Sequence, residues 1–366
     1  MRNYLDFETE IKILDQELDK LKDPFSSELT EVNTNKIIEL ENEINEKLKK
    51  IYANLDAWQT VQVARAEDRP TSKYYVENLF SNFVALSGDR SSGLDKSIIT
   101  GIATFEGKSV MIIAQERGYD LDSRIEANFG MTSPSGYRTA IRCMKLANKF
   151  NIPCIFFVDT NGADPSVKSE SQGQAAAIAK SINICLSLKV PTITLIHGVG
   201  GSGGAVALAA TNKTIMMQHS IYSVISPEGA AKILFRDEKK NKEAAKAMKL
   251  TSKDLLELNV IDEIIPEPLP AHVDRDLVLS NVKDSIRKNL DELSILTKDE
   301  IYSQKKLKFL SIGRDGKFKY NTENLLSMTS EEKNIFNWDS KFFKDNNKYI
   351  LILIILFFSF IIYYLL

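Results

Sequence analysis

Two periods of apolar and polar residues follow one another along this chain, and each period predicts a different kind of element. In the first 55 residues, apolar positions recur at helical spacing among many Glu and Lys residues. The polar stretch DPFSSELTEVNTN, at residues 23–35, separates two such runs. We therefore predict two amphipathic helices that pack on the body of the protein or on a partner.

The middle of the chain alternates short apolar runs with helical patterns. We predict strands at residues 109–115, 153–160, 192–196 and 213–218, and helices at 135–150, 171–188, 203–210 and 227–235. Continuous apolar strands separated by helices are typical of a mostly parallel sheet that is covered on both faces. The predicted fold class is therefore α/β.

The end of the chain has a different pattern. Residues 349–366, YILILIILFFSFIIYYLL, contain no charge and follow Lys341, Lys344 and Lys348. A helix of this length covers ~27 Å, close to the ~30 Å thickness of the hydrocarbon core of a bilayer. The alternative, a core helix, would need protein on every side. We expect a transmembrane tail anchor whose flanking lysines keep the body cytoplasmic.

Composition changes this picture little. The 366 residues are 43% hydrophobic and 26% charged, with a net charge of −2, which is ordinary for a globular protein and gives no sign of nucleic-acid binding. Cys143, Cys154 and Cys185 lie singly among apolar residues, so we expect buried thiols and no metal site. The first residues lack the apolar core of a cleaved signal.

One glycine-rich stretch carries candidate chemistry: ITLIHGVGGSGGAVALAA, at residues 193–210. Gly198, Gly200 and Gly203 fit the dinucleotide fingerprint G-x-G-x-x-G. That fingerprint needs an acidic residue about twenty positions further on, but none occurs before Glu228. A phosphate-binding loop would need Gly-Lys-Ser/Thr, which is absent here. Nucleotide binding is therefore disfavoured.

What remains is a strand, a glycine turn and a helix N-terminus. Backbone N–H groups and the helix dipole at such a turn favour a localised negative charge, such as an enolate or ureido oxyanion. Alternatively, the glycines only let the strand and helix pack tightly. A second turn of this kind, VDTNGADPS at residues 158–166, passes through Gly162 and Ala163, and NFGMTSPSGYR at 128–138 forms a third.

Together these stretches resemble the alpha subunit of the acetyl-CoA carboxylase carboxyltransferase, a member of the crotonase superfamily. The matching stretches, in order over roughly residues 4–272, are YLDFE, IYANLDAWQTVQVAR, RPTSKYYVENLF, GDR, NFGM, GYR, GGSGGA, YSVISPEGAA and IDEIIPEPL. The resemblance implies a crotonase-like (ClpP/crotonase) spiral of ββα units. The expected organisation is an N-terminal helical segment (1–55), a carboxyltransferase domain (56–272), a helical and polar linker (273–348, polar from residue 300) and the tail anchor (349–366).

The resemblance also implies an activity. The carboxyl group of carboxybiotin on a carrier protein would pass to acetyl-CoA and give malonyl-CoA for fatty acid biosynthesis. No cofactor would belong to this chain, because biotin arrives on the carrier. Expected partners are a zinc-ribbon beta subunit, the biotin carboxyl carrier protein and biotin carboxylase, in an alpha2beta2 assembly inactive without beta. The body would lie in the cytoplasm or the plastid stroma, attached to a membrane by the tail.

The site residues follow from the same resemblance. The backbone N–H groups of Gly200 and Gly201 are the expected oxyanion donors. The expected substrate-binding residues are Gly162, Ala163, Arg138, Arg117, Ser226, Pro227, Glu228 and Gly229. The two arginines suit a CoA phosphate or the biotin carboxylate, although a solvated face is the alternative for both. We expect structural or solvent-exposed roles for the three histidines, His197, His219 and His272.

The chain departs from the family pattern at four places. The usual DT-x-GAYPG is DTNGADPS at residues 159–166, EERGQ is ESQGQ at 170–174, Val199 replaces a glutamate, and EPLGGAH is EPLPAH at 267–272. Two alternatives therefore stay open. One is a catalytically weakened alpha-like subunit that tethers partners to a membrane. The other is a stand-alone crotonase-type acyl-CoA enzyme, for which Asp164 is the candidate acid or base.

Overall fold

The computed structural model describes residues 3–23, 34–91 and 93–313. Its strands form a single mixed sheet in the order β1-β2-β3-β4-β5-β6-β8, with β7 paired to the end of β5. The strands are β1 (Ser81–Ala85), β2 (Ile98–Phe105), β3 (Lys108–Gln115), β4 (Cys154–Thr160), β5 (Thr192–Gly201), β6 (Lys213–Met217), β7 (Ile221–Ser223) and β8 (Glu263–Ile265). Pairing is antiparallel from β1 to β3 and parallel from β3 onward. The predicted mostly parallel sheet is confirmed.

Helices cover both faces of this sheet. They are α1 (Thr9–Lys22), α2 (Thr34–Ala53), α3 (Ala57–Ala64), α4 (Ser72–Leu79), α5 (Leu121–Glu126), α6 (Pro134–Phe150), α7 (Val167–Ser171), α8 (Gln174–Ser187), α9 (Ser202–Ala209), α10 (Pro227–Phe235), α11 (Asn241–Met248), α12 (Ser252–Glu257), α13 (Arg275–Ser294) and α14 (Lys298–Ser311). Alternate residues of β3 show the two layers: Ile112 joins the core beneath α4 and α13, whereas Met111 joins the core beneath α6 and α9. The fold is therefore α/β, as predicted.

The two predicted N-terminal helices are confirmed as α1 and α2. Their apolar stripes pack against each other in one cluster that includes Ile11, Leu18, Ile44 and Leu48. Glu8, which is buried before α1, accepts a hydrogen bond of 3.0 Å from the Tyr52 hydroxyl at the end of α2. The same cluster includes Leu269 and Val273, so the helix pair packs on the body of the protein, which was one of the two predicted alternatives. Residues 24–33 of the predicted break lie outside the described residues.

The helix predicted over residues 171–188 is confirmed as α8, which begins three residues later, at Gln174. Gly173, with a φ of +83°, separates α8 from the short helix α7 that precedes it. The three cysteines are buried free thiols, as expected.

A second difference concerns the polar linker expected from residue 300. Residues Lys298–Ser311 form α14, which packs on the body. The Lys305 side chain is fully buried, and its ammonium donates to the carbonyl oxygens of Cys185 (3.1 Å) and Leu188 (2.7 Å) at the end of α8. A cation is favourable at the C-terminal end of a helix, where carbonyl groups lack partners. The prediction of a polar linker from residue 300 is therefore wrong as far as Ser311, because this polar segment forms a helix that packs on the body.

Residues up to Ile312 group into one compact unit. The domain boundaries at residues 55/56 and 272/273 stay predictions. Within the described ranges, no helix has both the length and the apolar character needed to cross a membrane. The predicted tail anchor, residues 349–366, lies outside the described residues.

Candidate active site

The site begins where β4 and β5 fall out of register. Val158 pairs with Ile196, but the next pair is Thr160 with Gly200, so three residues of β5 lie opposite Asp159 alone. The buried Asp159 carboxylate occupies this bulge, and its Oδ1 atom accepts the Val199 N–H at 2.9 Å. A side chain on Gly198 would place its Cβ 2.5 Å from the same Oδ1 atom. Glycine at position 198 is therefore required by the carboxylate beside it.

This arrangement changes the predicted end of the strand. The prediction that β5 ends at Ile196 before a glycine turn is wrong, because the strand continues to Gly201 and α9 begins at the next residue. Gly200 pairs with Tyr222 of β7, which extends the sheet alongside the glycines. The change of direction occurs at Ser202, which has a φ of +53°.

The turns after β4 and β5 pack backbone against backbone. A Cβ on Gly201 would lie 2.4 Å from the Asn161 carbonyl oxygen, and one on Gly204 would lie 2.5 Å from the carbonyl carbon of Gly162. Neither position has room for a side chain. The two interpretations of these glycines, as packing residues and as a backbone binding site, are therefore compatible. The close packing requires glycine, and glycine leaves the backbone without a covering side chain.

A cavity of about 500 Å³ opens at this edge of the sheet, within the range of small-molecule sites. Its lining comprises Arg65, Glu67, Arg117, Arg124, Phe129, Asn161, Val199, Gly201, Ile221, Ser223, Ile225, Ser226, Pro227 and Glu228. The wall thus combines apolar surface, one backbone turn and several charges, which suits an uncharged ring that carries an anionic group.

Each arginine of the cavity faces a carboxylate from another segment. Arg65 forms a two-pronged pair with Glu228, with Nη1 and Nη2 at 2.6 and 3.2 Å from the carboxylate oxygens. Burial would raise the pKa of Glu228, but the hydrogen bonds and charge of Arg65, together with hydrogen bonds from the Glu228 backbone and Ser226, lower it. Arg124 lies 3.3 Å from Glu67. These pairs hold α3, α5 and α10 around the cavity.

Of the three cavity arginines, Arg117 has the fewest donor groups in contact with other residues of the described chain. Its Nε atom lies 3.4 Å from Oδ2 of Asp159, and only 11% of its side chain is exposed. Within the described part of the chain, its terminal nitrogens donate no hydrogen bond to another residue. Because a nearly buried guanidinium carries five donors, Arg117 retains capacity for an anion in the cavity.

The predicted site residues separate into two groups. Gly201, Arg117, Ser226, Pro227 and Glu228 line the cavity, and Gly200 lies between two lining residues, Val199 and Gly201. The remaining predicted residues are absent from the lining and are Gly162, Ala163, Arg138 and Gly229. The structure therefore brings together half of the expected substrate-binding set.

Three of the four predicted residues that are absent from the cavity lining make hydrogen bonds or ion pairs within the fold. Arg138 pairs with Asp89 through a 2.9 Å contact and donates to the Gln172 carbonyl oxygen at 3.2 Å. The Gly162 N–H donates to the Thr160 hydroxyl, and the Gly229 N–H donates to the Ser226 hydroxyl at the start of α10. The expected contact of these residues with substrate stays a prediction.

Sequence reasoning missed Arg65, Glu67, Arg124, Asn161 and Phe129. Arg65 and Glu67 belong to VQVARAEDRP, where a mixture of both charges gives no local signal of a site. Their relevance depends on partners such as Glu228, which lies 163 positions away from Arg65. Only the fold brings these segments together.

The two histidines near the site are structural, as expected. Burial lowers the pKa of His197 to about 4, and its Nε2 atom lies 2.8 Å from the Ser72 hydroxyl. Burial also lowers the pKa of His219, whose Nε2 atom lies 2.9 Å from the Glu267 carbonyl oxygen. Both rings are therefore neutral at pH 7, and neither lines the cavity.

Asp164 is also outside the cavity. Its carboxylate accepts hydrogen bonds from the Ser166 backbone N–H at 3.1 Å and from the hydroxyls of Ser166 and Ser169. Burial would raise its pKa, but these hydrogen bonds lower it. An ionised carboxylate that braces the start of α7 is a poor candidate for the acid or base of a stand-alone enzyme.

Comparisons with known proteins found a matching family model and similar chains. The family model described as acetyl co-enzyme A carboxylase carboxyltransferase-like matches residues 4–313. The chain is 58% identical over 346 residues to the acetyl-coenzyme A carboxylase carboxyl transferase subunit alpha of Pelagibacter ubique HTCC1062, covering 94% of each chain. It is 48% identical over 317 residues to the same subunit of Sinorhizobium medicae WSM419, covering 86% of this chain and all of the relative.

A solved structure is similar in fold. Transcarboxylase 12S, with methylmalonyl-coenzyme A and methylmalonic acid bound, superposes with a TM-score of 0.52 at 18% identity. The match covers 62% of this chain and 42% of that one. At this identity the likeness concerns the fold alone.

Proposed function

The chain belongs to the family of carboxyltransferase alpha subunits of acetyl-CoA carboxylase, and from this premise we propose that its cavity receives the biotin end of the reaction. The chain is thus an enzyme subunit. The observation that carries the proposal is the backbone at Gly201, which must lack a side chain and lines a cavity of about 500 Å³ together with Arg117.

Carboxybiotin supplies the carboxyl group, and its ureido group takes the proton that the methyl carbon of acetyl-CoA loses as malonyl-CoA forms. The proposed role of Gly200 and Gly201 is to donate backbone hydrogen bonds to the ureido oxygen, where negative charge develops. Each donor of this kind contributes about 10²–10³ in rate. Arg117 would hold the carboxylate, and Ser226, Pro227 and Glu228 would form the wall beside the ring.

No side-chain base is needed for this chemistry. Within the described lining, the carboxylates are Glu67 and Glu228, and both face an arginine. For Glu228, where the pKa is lowered, this pairing favours the ionised, weakly basic form. The substrates we propose are therefore carboxybiotin on its carrier and acetyl-CoA, with no cofactor resident in this chain.

We propose that the beta subunit covers the mouth of the cavity. Apolar side chains at this rim are exposed: Phe129 at 41%, Ile225 at 37%, and Ile233 at 71% further along α10. Exposed apolar clusters around a cavity mark protein contacts. A zinc-ribbon beta subunit in an alpha2beta2 assembly, with the biotin carboxyl carrier protein and biotin carboxylase as further partners, is the arrangement we propose.

We also propose a crotonase-like spiral of ββα units. Its support is the similarity of two successive units: β4 leads to a helix through a turn at Gly162, and β5 leads to a helix through Ser202, directly after Gly201. These two turns lie in backbone contact.

The tail anchor remains part of the proposal for localisation. Its support is the uncharged run at residues 349–366. We propose a body in the cytoplasm or plastid stroma that this segment attaches to a membrane. Fractionation checks this: the full chain should pellet with membranes and the chain lacking residues 341–366 should stay in the supernatant. Equal distribution of the two chains would contradict the anchor.

The test of the function uses the full chain in detergent with a beta subunit from the same source. The measurement is acetyl-CoA formation from malonyl-CoA with a free biotin derivative as the carboxyl acceptor. Turnover that needs both subunits supports the proposal. Assembly without turnover would favour the tethering alternative, and turnover of CoA esters by this chain alone would favour the stand-alone enzyme.

A further inference from the structure

Asp159 lies between the two parts of the site, and we propose that it is the positioning residue for both. One carboxylate oxygen fixes the strand segment that leads into Gly200 and Gly201, and the other orients Arg117 toward the cavity. This role rests on the proposed function. Asp159 itself is absent from the cavity lining, so it acts through its neighbours.

The first contact fixes the strand. Gly198 and Val199 belong to the stretch of β5 that has no partner residue on β4 except Asp159. The hydrogen bond from the Val199 N–H to Oδ1, at 2.9 Å, replaces the missing ladder contact. Because Gly200 and Gly201 follow directly, the position of their N–H groups depends on this bond.

The second contact orients the cation. The Asp159 side chain is 2% exposed and the Arg117 side chain 11% exposed, with Nε and Oδ2 3.4 Å apart. In a nearly buried setting such a pair is weakly screened, so the charge of Asp159 strongly favours one position of the guanidinium. The terminal nitrogens of Arg117 then remain for a ligand.

A third segment, the turn that contains Gly130, packs against both Asp159 and Arg117. Gly130, with a φ of +77°, approaches so closely that a Cβ would lie 2.9 Å from the Asp159 carbonyl oxygen and 3.5 Å from Cα of Arg117. The turn containing Gly130 thus packs on the backbone of both residues. The Gly130 turn therefore links the backbone positions of Asp159 and Arg117.

The informative variant is Asp159→Asn. Its side-chain oxygen can still accept the Val199 N–H, whereas its NH₂ group would face Arg117 and the ionic contact is lost. The variant therefore separates the two contacts. We expect the KM for the biotin derivative to rise roughly tenfold, the size expected for one charged hydrogen bond, with kcat and the KM for malonyl-CoA within about threefold of wild type.

A double-mutant cycle on the assembled complex tests whether Asp159 acts through Arg117. Arg117→Gln alone should raise the same KM, and adding Asp159→Asn to it should raise that KM no further. A full additional effect in the Arg117→Gln background would overturn the proposal, since a general loss of structure would act whether or not Arg117 is present. An unchanged KM in Asp159→Asn would also overturn it.

Asp262→Asn is the matched control. Asp262 likewise accepts a backbone N–H, from Thr214, and pairs with a cation, Lys308, but it lies at the opposite end of the parallel strands. The Asp262→Asn variant should have a lower free energy of unfolding, with the KM for the biotin derivative and the KM for malonyl-CoA both unchanged. If Asp159→Asn does not assemble, that result would overturn the proposal, because it would assign Asp159 a role in folding of the subunit rather than in positioning Arg117. An inactive wild-type complex would overturn the proposed function itself.

Discussion

At the scale of single residues, the glycines of β5 and α9 have different physical reasons to be glycine. Gly198 makes room for a carboxylate, and Gly201 makes room for a carbonyl oxygen. Proline at position 201 would therefore introduce a clash as well as remove the N–H donor, so that change alone does not isolate the donor. Gly203, by contrast, has room for a methyl group, because a Cβ added there would lie 3.8 Å from the Ile178 side chain, an ordinary van der Waals contact.

Gly198→Ala should reduce both turnover and stability. Its Cβ would overlap the Asp159 carboxylate, and overpacking of this kind costs about 1–3 kcal/mol of unfolding free energy. Gly203→Ala is the control: it adds a methyl group at a helical position without a clash, and should be neutral or slightly stabilising. Urea unfolding and turnover with the beta subunit measure the two effects. Equal behaviour of the two variants would contradict the assigned role of Gly198.

At the scale of elements, α14 illustrates how a polar helix docks. Few of its residues are apolar and buried, but Lys305 is fully buried against the end of α8. Burial lowers the pKa of Lys305 to about 8 from 10.5. In the unfolded chain the pKa returns to its ordinary value, so between these two values the unfolded state binds more protons than the folded state.

The stability due to Lys305 should consequently increase as pH rises from about 8 to 10.5 and be lost as pH falls through 8. The shift corresponds to about 3 kcal/mol at most. The difference in unfolding free energy between wild type and Lys305→Met should grow over this pH range, measured by urea unfolding at several pH values. Lys306→Met, at an exposed neighbouring position, should show no such trend. A parallel pH profile for wild type and Lys305→Met would contradict the prediction.

At the scale of the whole molecule, the site is held by ion pairs between distant segments. One of these ion pairs, between Arg69 and Glu267, is fully buried and joins residues 198 positions apart. Arg69 donates two hydrogen bonds of 2.9 Å to the Glu267 carboxylate and a third to the His197 carbonyl oxygen of β5. Burial would raise the pKa of Glu267, but Arg69 outweighs that effect and lowers it. This pair joins three regions of the chain, including β5, which leads to Gly201 in the cavity lining.

Glu267→Gln should lower the unfolding free energy by about 3–5 kcal/mol, because it leaves a buried guanidinium without its counterion. In wild type, the contribution of this carboxylate is present above the ordinary glutamate pKa and is lost as pH falls through its lower folded value. Glu106→Gln, which breaks an exposed pair with Arg287, serves as control and should have little effect. Thermal unfolding of both variants would decide, and a small loss for Glu267→Gln would contradict the prediction.

The sequence by itself determined the elements and their class. Periodicity identified the helices α1, α2, α6 and α10 and the buried strands, because burial on one or both faces leaves a local pattern of apolar residues. The ordered motifs identified the family, and they predicted Gly201 and Arg117, which both line the cavity, as site residues. These features depend on residues that are close together along the chain.

Only the tertiary structure decided which charges meet. It separated Arg117 from Arg138, brought Arg65 to Glu228, and placed the Asp159 carboxylate in the β5 bulge. It also turned an apparent linker into α14. Ion pairs and close backbone contacts depend on how distant segments pack, and the order of residues along the chain leaves no periodic trace of that packing.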